Sequence, residues 1–169
     1  KDKLFYFINY ERQDNETPQP IDVSNYVGNI ASIGTDGTVA SGIDALRQNL
    51  ITRCGFDPGS YKNNKATLTS DKFIAKLDWN INEKHKLSLR HSLVEARDIS
   101  PSRSSANTIN FLTGAIDFKT TTNSTSLELN SRFNDVISNN FVLGYTSVVD
   151  NRNPYGSPFP IVEFVDGSG

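Results

Sequence analysis

The chain has 169 residues and a mass of 18.7 kDa, the length of one domain. Its 17 Lys and Arg stand against 19 Asp and Glu, and the resulting net charge of −2 argues against the basic face that a nucleic-acid grip requires. A single cysteine excludes an internal disulfide framework and a Cys-based zinc cage, and two histidines leave little for metal chemistry.

The chain opens Lys1-Asp2-Lys3, shows no signal peptide and holds no methionine, so it reads as an excised piece of a longer protein. Residues 3–11 (KLFYFINYE) alternate with period two. Leu4, Tyr6, Ile8 and Tyr10 share one face, and Phe5, Phe7, Asn9 and Glu11 the other. The longest apolar run, at 4–8, is far short of the roughly 20 residues of a membrane helix. A long connection, 12–70, follows. Inside it Val39, Ile43, Leu46 and Leu50 fall on one helix face. Thr38 is placed to cap the start of that helix, and Gly55 and Pro58 to end it. Asp57-Pro58-Gly59 spells a turn. Cys54 is expected as a packed small hydrophobe rather than a nucleophile.

Residues 71–81 (DKFIAKLDWNI) alternate most cleanly: Phe73, Ala75, Leu77, Trp79 and Ile81 lie against Lys72, Lys76, Asp78 and Asn80. The hairpin-sized loop Asn82-Glu83-Lys84-His85 leads to 86–96, with Leu87, Leu89, His91 and Leu93 on one face. The connection 97–122 is expected to hold a small hairpin around Thr113-Gly114, flanked by Ile109, Phe111, Ile116 and Phe118. Strands at 123–133 and 140–150 are joined by the short polar loop 134–139. A further loop, 151–169, carries Pro154, Pro158 and Pro160.

Two architectures fit this pattern. In a soluble β-sandwich the apolar face is core and the polar face is solvated. In an arc of a transmembrane β-barrel the apolar face meets lipid and the polar face a wet lumen. Three features favour the barrel. Predicted strands of 9–11 residues match a tilted bilayer crossing. Short turns alternate with long loops, as at the two ends of an outer-membrane barrel. Tyr6, Tyr10, Trp79, Phe133, Phe141 and Tyr145 are placed for an aromatic girdle. The expected fold class is therefore all-β: antiparallel up-and-down strands forming part of a barrel, with one short helix in a long loop.

The opening KDKLFYFINYE resembles a strand written roughly KDKLFFFxNYE in TonB-dependent outer-membrane receptors, especially the Oar-like group of Bacteroidetes. KLDWNINEKHKLSLRHS, at 76–92, resembles that group's hairpin RLDWNxxxxHKLxxRYS, and SLELNSRFNDVISNNFVLGY, at 126–145, its next one. DPGSY at 57–61 and GSPFP at 156–160 resemble its loop motifs. His91 departs from the pattern, where Tyr is commoner, and Cys54 matches no family role. The resemblance implies a parent barrel of about 22 strands with a plug domain in its lumen. It implies uptake of a nutrient (peptide, glycan or siderophore class) across the outer membrane of a Gram-negative bacterium, driven by the TonB complex acting through the plug. The expected partners are outer-membrane lipid, the parent's plug, TonB and that nutrient; no nucleic acid, cofactor or catalytic activity is expected. Plug and TonB box lie outside the segment, which covers about five strands.

On this reading Lys76, Asp78, Asn80, Arg90, Glu128, Asn130 and Arg132 face the lumen or plug. If the first turn pairs Ile81 with Leu87, Asp78 faces Arg90, and Arg90 in turn faces Glu128, a ladder worth roughly 0.2–1 kcal/mol per pair. Tyr6, Tyr10, Leu77, Trp79, Leu89, Leu129, Phe133, Phe141 and Tyr145 face lipid or form the girdle, joined by Leu87, Leu127 and Leu143. His85 is expected in the tight turn and His91 on the apolar face, neither at metal-ligand spacing. Asp14, Asn15, Glu16, Asp150, Asn151 and Asn153 read as solvated loop residues, since they spell no Ca²⁺-loop pattern. Two other functional classes remain: a non-transport adhesin or surface-assembly barrel, and a soluble β-domain with polar residues at some of these lipid positions.

Overall fold

The computed structural model describes residues 3–20 and 23–157. Lys1, Asp2 and the end of the GSPFP motif, with Pro158 and Pro160, lie outside the described residues. Five antiparallel strands form one open sheet in the order β1-β2-β3-β4-β5. They are β1 (Leu4–Gln19), β2 (Asn64–Asn80), β3 (His85–Ser100), β4 (Ile116–Arg132) and β5 (Ser138–Pro154). One helix, α1 (Val39–Cys54), and 3₁₀ turns at Val23–Asn25, Ile30–Ile33 and Leu112–Gly114 complete the fold.

The strands have 16 or 17 residues, well beyond the predicted 9–11. The added length RQDNETPQ in β1 carries no apolar alternation, so there the hydrophobic pattern stops before the backbone pairing does. Ion pairs between strands continue into these lengths: Lys72 with Glu11 at 2.9 Å and Lys65 with Glu16 at 2.6 Å. Asp14, Asn15 and Glu16 therefore sit on β1, and Asp150, Asn151 and Asn153 on β5, rather than in loops. Pro18 and Pro154 are tolerated because β1 and β5 are edge strands, where a missing N–H breaks no ladder.

Both tight turns use the same device. The Asn82 side chain accepts the backbone N–H of Lys84 and His85 at 2.8 and 2.9 Å. The Asn134 side chain accepts those of Val136 and Ile137 at 2.9 and 2.7 Å. In each, the asparagine's own N–H donates to the carbonyl three residues on, at 3.3 Å. An Asx-type turn of this kind supplies acceptors that the reversing backbone cannot. His85 is consequently the first residue of β3 and not a turn residue.

The chain divides into two compact units. The first comprises Lys1–Asn15, Leu68–Arg97 and Phe118–Asn151, the second Glu16–Thr67, Asp98–Asp117 and Arg152–Gly169. The first unit is sheet, and its buried residues are Ser70 and Ser131, both polar. The second holds the buried apolar side chains Ile43, Tyr61 and Ala115.

In the second unit the helix follows its sequence signals. Thr38 Oγ1 accepts the Ser41 N–H at 3.2 Å, and Gly55 closes the far end in a left-handed conformation, φ 65°. Ile43 is fully buried, and α1 packs against the 3₁₀ turns Val23–Asn25 and Ile30–Ile33. Gly42 makes that approach possible: a Cβ there would lie 2.0 Å from the Ile30 carbonyl oxygen. The Asp57-Pro58-Gly59 turn forms as predicted, with the Asp57 carboxylate accepting the Gly59 N–H at 2.9 Å. Arg47 grips the same carboxylate with two hydrogen bonds, at 2.9 and 2.8 Å.

The predicted hairpin around Thr113-Gly114 is not formed. Leu112–Gly114 is a 3₁₀ turn, and Ile116 already opens β4. The donors a hairpin needs are spent elsewhere. Asn110 N–H goes to Ser104 Oγ at 2.8 Å, Leu112 N–H to Ser60 O at 2.8 Å, and Thr113 N–H to Pro58 O at 3.2 Å. Cys54 is exposed, contrary to the expected packing, because it falls in the last helical turn beyond the Ile43 contact.

Candidate functional site

The candidate site is the pair of faces of the sheet in the first unit. Side-chain contacts between neighbouring strands fix which residues share a face. Tyr10 Oη donates to Asp71 Oδ1 at 2.5 Å and Arg12 lies 3.7 Å from the same carboxylate, so even positions of β1 go with odd positions of β2. Ser88 Oγ donates to Asp78 at 2.6 Å, which joins even β2 to even β3. Ring nitrogens of His85 and His91 share hydrogen bonds with Ser131 and Thr125, both at 2.9 Å, joining odd β3 to odd β4. Phe133 N–H bonds Ile137 O and Ser124 bonds Thr146, which joins odd β4 to odd β5.

All nine predicted girdle or lipid residues thus lie on one face. Two transverse rows on it are wholly apolar: Leu4, Trp79, Leu87, Leu129 and Phe141, then Tyr6, Leu77, Leu89, Leu127 and Leu143. Leu129 is half-buried, whereas Tyr6, Trp79, Leu89 and Tyr145 are 81%, 44%, 40% and 70% exposed. At one end the band stops at the Tyr10–Asp71–Arg12 cluster. At the other, Phe133 stacks edge-on against His85, ring centroids 6.3 Å apart, beside the turn.

All seven predicted polar residues lie on the opposite face. The ladder of Asp78, Arg90 and Glu128 is not formed. Asp78 instead pairs with Lys76 on its own strand at 2.8 Å and accepts from Ser88. Glu128 accepts from Asn130 and Asn140, both at 2.9 Å. The reason is register. The Asn82 turn is two residues tighter than assumed, so Ser88 rather than Arg90 comes opposite Asp78 and also lies beside Glu128. Arg90 and Arg132 are exposed, and Asn80 N–H bonds the Lys3 carbonyl at 2.7 Å. Ser88 and Asn140 are site residues the sequence reading missed. The signals for them were Asn82 for Ser88 and Asn134 for Asn140, since the turn chemistry of each sets the register of its hairpin.

No cluster of three or more His, Cys, Asp or Glu able to hold a metal occurs among the described residues. No helix among them is long and apolar enough to cross a membrane, a test that does not address strands. No protein family, curated protein or solved structure matches the chain.

Proposed function

We propose that the chain is an arc of a transmembrane β-barrel belonging to a TonB-dependent outer-membrane receptor, which takes up a nutrient of peptide, glycan or siderophore class by energised transport. The observation that carries the reading is the exposed apolar face, continuous over five strands with an open edge at each side. Exposed aromatic and leucine side chains in contiguous rows are rare on water-facing surfaces and are the norm against lipid.

The dimensions agree. From Asp71 to Asn80 the strand rises about 30 Å at ~3.3 Å per residue. At a tilt of ~40° this is a height of about 23 Å, close to the ~25 Å apolar band of outer-membrane barrels. Tyr10 sits at one limit with its hydroxyl on a carboxylate, as an interfacial aromatic does. The opposite face, with Lys76, Asp78, Ser88, Glu128, Asn130 and Asn140 hydrogen-bonded among themselves, suits a wet lumen and its plug. Tight turns at one end and long connections at the other complete the pattern.

The test is a labelling scan of β3 in the full-length protein, reconstituted in bilayers with Cys54→Ser as background. Spin labels at positions 87 and 89 are expected to relax with oxygen, and labels at 88 and 90 with a water-soluble nickel chelate. Water-type relaxation at all four positions would make the chain a soluble β-domain and remove the transport reading.

A further inference from the structure

The second unit contains a groove of about 610 Å³. One wall is the α1 ridge Leu46, Leu50 and Cys54, spaced four residues apart; the other is Tyr26, Ile30 and Ile33. Its volume falls within the roughly 300–1,000 Å³ of small-molecule sites. Arg53 is the one charged residue of the lining among the described residues. It forms no ion pair with a described carboxylate. Two carbonyls of the last helical turn, those of Leu50 and Ile51, accept from the N–H groups of Gly55 and Phe56.

An apolar trough whose one guanidinium has no carboxylate partner among the described residues is complementary to a ligand with a greasy body and a single negative head. We propose that this groove binds a small amphipathic monoanion, its apolar part between Leu50 and Ile33 and its carboxylate on the Arg53 fork. Arg offers paired donors that match a carboxylate's two oxygens, whereas the Asn49 amide and Ser32 hydroxyl beside it are neutral. The inference concerns the second unit alone and does not depend on the membrane reading.

Cys54 provides the reporter, being exposed, in the groove wall and the only cysteine of the chain. The full-length protein in neutral detergent is alkylated with iodoacetamide, and modification is followed by mass spectrometry of the peptide carrying Cys54. The probe is 2-naphthoate, compared with the neutral 2-naphthalenemethanol. Naphthoate is expected to protect Cys54 at about tenfold lower concentration than the alcohol, the usual advantage of a charge-assisted bond. Arg53→Gln should raise the naphthoate requirement to that of the alcohol, and Arg53→Lys should recover part of the difference. Each variant is referenced to its own rate without probe, so a change in thiol reactivity does not enter. Equal protection by acid and alcohol, no protection by either, or an Arg53→Gln variant that still prefers the acid overturns the proposal.

Discussion

Gly42 is the residue on which the helix packing in the second unit turns. A Cβ placed 2.0 Å from the Ile30 carbonyl oxygen must push α1 away from the Ile30–Ile33 turn, and backbone has little room to give. Gly42→Ala is therefore expected to destabilise this packing by roughly 1–3 kcal/mol, the range for overpacking. Hydrogen exchange across residues 30–54 measures it. Gly114→Ala is the matched control, since nothing lies within 4 Å of its Cβ, and should change stability by under ~0.5 kcal/mol. Asp57 gives a pH prediction at the same scale. The Arg47 guanidinium, and after it the Gly59 N–H, hold its carboxyl below the usual carboxylate range. A depressed folded value means that the contribution is fully present above the ordinary carboxylate pKa. It is lost only as pH falls through the lowered one. The Arg47–Asp57 clasp should thus survive at pH 5 and open under stronger acid, read from the Asp57 carboxyl carbon shift. A shift centred at the ordinary carboxylate value would contradict the clasp.

At the level of elements, the hairpin register is set by two asparagines. Asn82→Ala removes the acceptor for two backbone N–H groups, and Asn134→Ala does the same in the second turn. Each is expected to cost about 1 kcal/mol, with amide exchange several-fold faster at Lys84 and His85, or at Val136 and Ile137. Asn82→Asp keeps the acceptor and should leave the exchange unchanged. The same asparagines explain what the sequence made legible. Period-two alternation located all five strands and their two faces, because burial or exposure of a whole face is a property each residue reports by itself. The α1 signals were equally local: a Thr cap, one apolar stripe and a Gly stop. Which side chain lies opposite which was not legible, since a pairing depends on turn geometry at another point in the chain. An error of two residues in the first turn moved Asp78 from Arg90 to Ser88. The polar ends of the strands were hidden for a different reason. Past Glu11 in β1, pairing rests on backbone bonds and ion pairs that leave no apolar rhythm. The failed hairpin at Thr113 shows a third cause: its donors are used by Ser60 and Pro58, some fifty residues earlier.

For the whole molecule the question is what covers the sheet. Its apolar residues lie at the surface, and on the edge strand β1 both faces are apolar, with Phe5 and Phe7 exposed on the otherwise polar side. An edge of this kind invites pairing with further strands, and a closed barrel is the arrangement that leaves none open. Adjacent positions of β3 separate lipid from every other cover. Leu89 sits mid-row between Leu77 and Leu127, so Leu89→Arg places a charge in the middle of the apolar band. In hydrocarbon this costs roughly 2–4 kcal/mol and should deplete the full-length protein from the outer-membrane fraction. Ser88→Arg adds the same charge one residue away on the polar face, beside the carboxylates of Asp78 and Glu128. It should assemble normally, with the heat-shifted electrophoretic mobility of an intact barrel. If the apolar face were instead roofed by another protein domain, Leu89→Arg would abolish that contact but leave membrane association as it was. Only a lipid-facing band ties the penalty both to one side of the strand and to insertion itself.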